Sequence, residues 1–337
     1  MRQSNRPYLP WLTVILVAGC AQDVQSPGED MREVESSAAL AGNSWAVRRP
    51  LPMARSWTVA GSIGGSVYVV GGGRNSDGVA VTRVDAYDQA TNRWRQVASL
   101  PGPRVASNGA TAIGGKLYVT GGRGRDERPT KTLFVYDPQS NAWSRKADLP
   151  RVGHHGAQGM IGGRLYVYMP AAGNDPCPIL LRYDPATNVW VQRAAPPAEH
   201  SRGAGGVVHG IFYLAGGYTR NCAAGEEHWT VHRRLDAYDP ASDTWTAKAP
   251  MTALRSEMSG AVLGNRLHVV GGYEGLVEFP TELPTLEVYD PGMNRWMKRA
   301  SLPDGHAGGA AAMVNGKLVY TTGFGGGAAS EVYAYTP

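Results

Sequence analysis

The chain has 337 residues, a formal charge of +5 and a hydrophobic share of 42%. That apolar content argues against a low-complexity disordered chain, and the charge, spread without a lysine-rich run, argues against nucleic acid as a partner. Glycine is abundant at 44 residues and phenylalanine scarce at 4, while Tyr (16) and Trp (9) carry the aromatic load, a mixture suited to many short strands joined by glycine turns.

Arg2 and Arg6 precede an apolar run, Trp11 to Ala18, that ends in Val17-Ala18-Gly19-Cys20. The run is too short to span a bilayer and has the charged start and small-residue end of a secretory signal. Its last four residues resemble a bacterial lipobox, which implies cleavage before Cys20, lipidation of that cysteine and anchoring to the cell envelope. Ala21 follows, with no Asp to hold the protein at an inner membrane, so by family habit the outer membrane is favoured if the organism has one. An ordinary cleaved signal with a chance cysteine is the alternative. Residues 1–19 form the expected leader, and residues 20–43, polar, small and locally acidic, read as a flexible tether.

From Ser44 onward the chain is repetitive. Ser44-Trp45-Ala46-Val47 looks like an isolated strand, and six units follow it. Each unit opens near a Leu-Pro, runs through a strand of small residues and reaches a two-residue turn: Gly64-Gly65, Gly114-Gly115, Gly162-Gly163, His209-Gly210, Gly264-Asn265 and Asn315-Gly316. Such pairs supply the positive φ of a tight hairpin. An apolar strand follows, closed in four units by Gly71-Gly72, Gly121-Gly122, Gly216-Gly217 and Gly271-Gly272. Then comes a phrase best seen in Leu133 to Trp143, with Tyr136-Asp137-Pro138 running to Trp143. It returns at Tyr87…Trp94, Tyr183…Trp190, Tyr238…Trp245 and Tyr289…Trp296. A period of about 50 residues with four strands per unit is the mark of propeller blades.

The diglycine, the tyrosine and the tryptophan together resemble the kelch repeat. The resemblance implies an all-β, six-bladed kelch-type β-propeller over residues 44–337. Two units depart from the pattern, with Met169-Pro170 and Thr322-Gly323 in place of the diglycine. The sixth unit stops at Pro337 without its Trp. An open ring would leave unpaired edges, so the N-terminal strand is expected to complete the last blade.

In this fold, the loops entering the first strand of each blade and those leaving the second gather on one face. The inbound loops share a position occupied by Arg55, Arg104, Gly153, His200, Arg255 and His306, with His154 beside the gap. Kelch propellers that bind acidic peptides or sugar acids use arginines there, so Arg55, Arg104, His154, His200, Arg255 and His306 are the expected ligand-binding set. A cationic mouth attracts carboxylates. The alternative is that these side chains bond loop carbonyls. The outbound loop of the fourth unit holds Glu226, Glu227, His228 and His232, which read as a solvated loop rather than a metal site, and Trp229, a candidate contact residue. Cys177 and Cys222 lie on outbound loops of neighbouring blades, and export makes a bridge between them the expectation, against two free thiols.

No nucleophile–base arrangement, nucleotide loop or cofactor motif stands out. Galactose oxidase is built on kelch repeats, but neither cysteine here has a matching motif around it. The periplasmic kelch proteins that mutarotate sialic acid are closer in size, although their acid–base residues find no residue-by-residue match. The sequence therefore points to a monomeric, envelope-tethered binding scaffold for an anionic small molecule, a glycan or a protein. A sugar-acid mutarotase or epimerase is the alternative.

Overall fold

The hairpin turns behave as their residues dictate. In all six units both turn residues have φ between +47° and +82°, the type I′ geometry whose twist matches the flanking strands. The computed structural model describes residues 42–74, 78–171, 177–220, 229–275, 281–321, 323–325 and 330–337. These form six four-stranded antiparallel sheets, with three small two-stranded ribbons in the loops. Blade 1, for example, runs from the inner strand Val59–Ile63 through Ser66–Val70 and Val84–Asp88 to the outer strand Arg93–Gln96. The inner strands use small residues because they crowd the axis. A Cβ on Gly61 would lie 2.7 Å from the carbonyl oxygen of Ala110 in the next blade. The middle strands are buried on both faces and carry the β-branched and aromatic core: Val67, Val69 and Val84 are fully buried, as are the blade tyrosines.

The ring closes as the sequence requires. Ser44–Arg48 pairs antiparallel with Val332–Thr336, in register from Ser44 opposite Thr336 to Arg48 opposite Val332. It supplies the outer strand of the sheet that also holds Ala310–Val314 and Lys317–Thr321. With that strand in place, one lock repeats at all six blade junctions. Each blade tryptophan donates its indole N–H to a carbonyl of the preceding blade: Trp94 to Arg49, Trp143 to Ala98, Trp190 to Ala147, Trp245 to Ala194, Trp296 to Ala249 and Trp45 to Ala300, at 2.7–2.9 Å. Each blade tyrosine donates its hydroxyl to an amide or carboxylate oxygen in the outer turn, as Tyr136 does to Asn141 at 2.8 Å. That same oxygen accepts a backbone N–H from the preceding blade. Asp243 replaces Asn in blade 4 without loss, because only its oxygen is used. The N–H of Ala194, together with the Tyr238 hydroxyl and Arg193, holds its carboxyl below the usual range.

In the sixth lock the oxygen belongs to Asn43, which accepts from the Tyr335 hydroxyl and the Ala300 N–H, both at 2.9 Å. The propeller therefore starts before Ser44, and Asn43 belongs to the last blade rather than to the tether. Residues 1–41, which hold the expected leader, Cys20 and most of the expected tether, lie outside the described residues.

Blade 3 shows why its diglycine could be lost. In blade 1, Gly71 (φ +61°) brings its backbone so close to the next inbound loop that a Cβ would sit 2.4 Å from the carbonyl oxygen of Arg104. In blade 3 the corresponding residue is Met169, fully buried. Its thioether fills the space in front of Gly153, where a Cβ would meet Met169 Cε at 2.3 Å. The methionine replaces, from the opposite strand, the long side chain that other inbound loops provide.

Candidate functional site

Each cation of the inbound loops faces a residue two positions before a blade tyrosine, and that residue decides what the cation does. Arg55 is fully buried and donates to the carbonyls of Gly71 (3.1 Å) and Arg83 (2.9 Å) and to Asp85 (2.7 Å). Arg255 pairs with buried Glu287 and reaches the carbonyls of Gly271 and Thr285. His200 spans the Gly216 carbonyl (2.8 Å) and Asp236 (2.9 Å). Burial pushes Asp236 up, but the hydrogen bonds from His200 and Arg234 outweigh it and hold the carboxyl below its usual range. Where the facing residue is not an acid the cation adapts. Arg104 lies 5.6 Å from the Phe134 ring centroid and donates to the carbonyl of Pro103, while His306 is enclosed by Tyr320 and Tyr333. In blade 3 the position is Gly153 and the facing residue Leu181, and Arg151, two residues earlier, donates instead to the carbonyls of Met169 (3.2 Å) and Pro170 (3.0 Å).

The expected ligand set does not face the central cavity. Arg55, Arg104, His200, Arg255 and His306 are turned into the blades, and His154 packs on His155 with ring centroids 4.7 Å apart. None of the six lines the central cavity. An unpaired buried charge is costly, and these partners remove that cost.

The cavity begins two residues further along each inbound loop, at Trp57, Ala106, His155, Arg202, Glu257 and Gly308. These six form a hoop. The N–H of each donates to the carbonyl of its predecessor around the axis, and Trp57 donates to Gly308 to close the circle, at 2.7–3.0 Å. All six have left-handed φ, from +50° to +64°. That conformation is routine for glycine and uncommon for the other five side chains. Beneath the hoop lies a channel cavity of about 180 Å³, walled by small residues with Asn108, Gln158 and Ser259 among them.

A second tier sits on the outbound loops, one residue after the diglycine position: Gly73, Arg123, Ala171, Tyr218, Tyr273 and Phe324. Five of these pair with the inbound loops, Gly73 with Ser56, Arg123 with Val105, Tyr218 with Ser201, Tyr273 with Ser256 and Phe324 with Ala307. The two tiers share side-chain contacts. Glu257 accepts from Arg202 on one oxygen and from the Trp57 indole (3.1 Å) on the other. Trp57 packs edge-on against Phe324 (4.7 Å) and His155 (6.3 Å), and the Arg123 guanidinium lies 5.9 Å from its ring. The Arg202 guanidinium lies 5.9 Å from the Tyr218 ring. Burial, followed by Glu282 and Glu257, pushes Tyr273 up to about 12, so it is a neutral hydrogen-bond donor. Burial, followed by Arg202, His154 and Arg123, holds His155 well below its ordinary value, so its imidazole is neutral.

His232 is a structural residue. Its Nε2–H donates to the Glu199 carbonyl at 2.8 Å, and burial lowers it to about 4. Glu226, Glu227, His228 and Cys222 lie outside the described residues. Among the described residues no cluster has the makings of a metal site. Cys177 is exposed, and its expected bridge partner, Cys222, is among the residues outside that description.

Comparison with known proteins agrees with this architecture. A model of the KLHDC2/KLHL20/DRC7 Kelch-repeats domain matches residues 15–217 and 57–272, and a Kelch motif matches residues 254–303. Human Kelch-like protein 25 is 36% identical over 111 residues, which is 32% of this chain and 17% of that protein. Human Kelch-like protein 4 is 36% identical over 80 residues, 24% of this chain and 11% of that protein. The chain thus spans only a small part of these relatives. The solved structure of YjhT superposes with a TM-score of 0.67 at 17% identity, covering 85% of this chain and 95% of that one, a likeness of fold. Repeat, blade count and family match agree: the chain belongs to the kelch-repeat family of β-propellers.

Proposed function

We propose that this protein is a binding scaffold, lipid-tethered to the cell envelope through Cys20, that takes an anionic ligand at the mouth of its central channel. The ligand class is a sugar acid or an acidic peptide side chain. A kelch propeller is commonly an interaction scaffold, and the observation that carries the anionic reading is Arg123. Its guanidinium stands half-buried over Trp57 with no carboxylate partner among the described residues, and its Nε has no hydrogen-bond partner. Arg55, Arg255 and His200, by contrast, are each paired with an acid inside a blade. Arg202, with its side chain 36% exposed, shares the rim and spends only part of its guanidinium on Glu257. Two arginines on one concave rim suit a carboxylate.

Calorimetric titration of the mature chain with N-acetylneuraminate, glucuronate and a short acidic peptide tests this reading. Arg123→Ala should weaken binding about tenfold or more, since a charge-assisted hydrogen bond contributes about 1.5–3 kcal/mol. Equal affinity in the variant, or no binding by any of the three probes, refutes it. The tether is tested separately by fatty-acid labelling, which Cys20→Ala should abolish.

A sugar-acid mutarotase is favoured by one feature, the Glu257 carboxylate set against Arg202 at the head of the cavity beside His155. Opening a cyclic sugar needs a proton removed from the anomeric hydroxyl and one delivered to the ring oxygen. Faster interconversion of N-acetylneuraminate anomers by NMR, lost in Glu257→Gln, would select this reading over a pure scaffold.

A further inference from the structure

His155 occupies an unusual position. It is 7% exposed, it lines the channel cavity, and its Nε2 is buried with no hydrogen-bond partner. Buried ring nitrogens normally find a partner, and an orphan at the head of a cavity calls for an explanation. The groups around it are named by the elements that pack there. Trp57 approaches from blade 1 and His154 from its own loop. Arg202 is next on the hoop, its N–H bonded to the His155 carbonyl at 3.0 Å, and the Ala106 carbonyl accepts the His155 N–H at 2.9 Å. Arg123 reaches over Trp57 from the outbound loop of blade 2. The charged or titratable neighbours acting on the imidazole are Arg202, His154 and Arg123, all basic, with no acid among them. The rim carboxylate Glu257 has both oxygens engaged, by Arg202 and by Trp57.

We propose that His155 is the third contact of the anion site and that it takes up one proton from solvent as the anion binds. This rests on the anionic reading of the mouth. With the site empty, a proton on His155 would add a third positive charge to Arg123 and Arg202 in a poorly solvated place, so the ring stays neutral. A bound carboxylate supplies the missing counter-charge. It offsets the repulsion between the basic groups and gives the protonated imidazole an acceptor. No covalent bond changes; the balance is one proton moved from water to a ring nitrogen per anion bound. The sign follows from linkage. The complex holds more protons than the free protein, so affinity rises as pH falls, by at most tenfold per pH unit between the free and bound values of the histidine.

The experiment is calorimetry of the mature chain with glucuronate and N-acetylneuraminate at pH 7.5, 6.5 and 5.5, in paired buffers of different ionisation enthalpy. The expected result is net proton uptake approaching one per site toward pH 5.5, with affinity at least several-fold tighter than at pH 7.5. His155→Gln should bind with affinity independent of pH and no proton uptake, while His154→Gln should keep both. Imidazole NMR of the ligand-free protein gives a second readout, in which His155 should remain neutral at pH 5.5 and become protonated when the anion is added. Binding without proton uptake, or uptake that persists in His155→Gln, overturns this proposal and leaves the anionic reading standing. Absence of binding by either sugar acid at every pH overturns it, and, if the acidic peptide also fails, the anionic reading with it.

Discussion

Arg255→Met is the sharpest test of the division between cations that hold a blade and side chains that face the channel. Glu287 is fully buried and accepts from Arg255 on one oxygen and from the Thr252 N–H, at 2.9 Å, on the other. Removing the guanidinium leaves a buried carboxylate with a single amide donor, a loss of about 3–5 kcal/mol. The remedy is already present in blade 3, where the equivalent pair is Gly153 and fully buried Leu181, with Met169 filling the space between strands. Arg255→Met combined with Glu287→Leu should therefore recover most of the loss and end within about 1 kcal/mol of the parent, as apolar replacement of buried pairs often does. Urea unfolding followed by tryptophan fluorescence measures both variants. An unchanged denaturant slope is required if stability alone has changed. Anion affinity in the double variant should match the parent, since neither residue lines the cavity. A single variant that costs under 1 kcal/mol, or a double variant no better than the single, would refute the pairing. Lost affinity in a fully folded double variant would return Arg255 to the mouth.

Two further outcomes follow from the closing strand and the buried histidines. Trp45→Ala removes the indole bond to Ala300 and the ring packed 5.2 Å from Tyr335; it should cost about 3 kcal/mol in urea unfolding, whereas a chain begun at Gly42 should unfold at the parent midpoint. His232 is neutral in the fold down to about pH 4 but protonates near 6.5 when unfolded, so its contribution is present above pH 6.5 and lost as pH falls toward 4; His232→Gln should flatten that part of a thermal stability profile.

The fold was legible because its signals are local and repeated. Turn pairs with positive φ, the diglycine and the Tyr…Trp phrase each report backbone geometry from a few adjacent residues. Ring closure was legible from the missing strand alone. Asn43 was not, because one asparagine ahead of a strand resembles any spacer residue until its five counterparts, such as Asn92 and Asn141, are seen receiving the blade tyrosines. The cations were visible, but not their direction. That is set by a partner some 30 residues away, Asp85 for Arg55 and Glu287 for Arg255. A comparison across blades of the residue two before each tyrosine would have exposed it: an acid faces a cation in blades 1, 4 and 5, and Leu181 faces glycine in blade 3. The channel residues follow those cations by two positions, and an unaligned Trp57, His155, Arg202 and Glu257 share no chemistry that would mark them as equivalent.

That lack of shared chemistry is what separates the two rings of residues. Positions that hold the blade together meet the same demand in each blade, so they recur: the tryptophan, the tyrosine, the turn Asn or Asp, and in three blades the cation with its acid. The hoop meets a backbone demand six times as well, a left-handed φ and a hydrogen bond to each neighbour. Glycine would meet it with the least strain. Yet only Gly308 is a glycine, where a Cβ would lie 3.1–3.2 Å from Phe324 and Trp57. The other five carry side chains at a cost of roughly 1 kcal/mol each for the left-handed conformation. Trp57 packs on the small cluster of Ala80, Val105 and Ala106, while His155, Arg202 and Glu257 contact one another and Trp57 around the mouth. Strain concentrated on the residues that differ from blade to blade is what the proposed recognition role of the hoop and its outbound tier would account for.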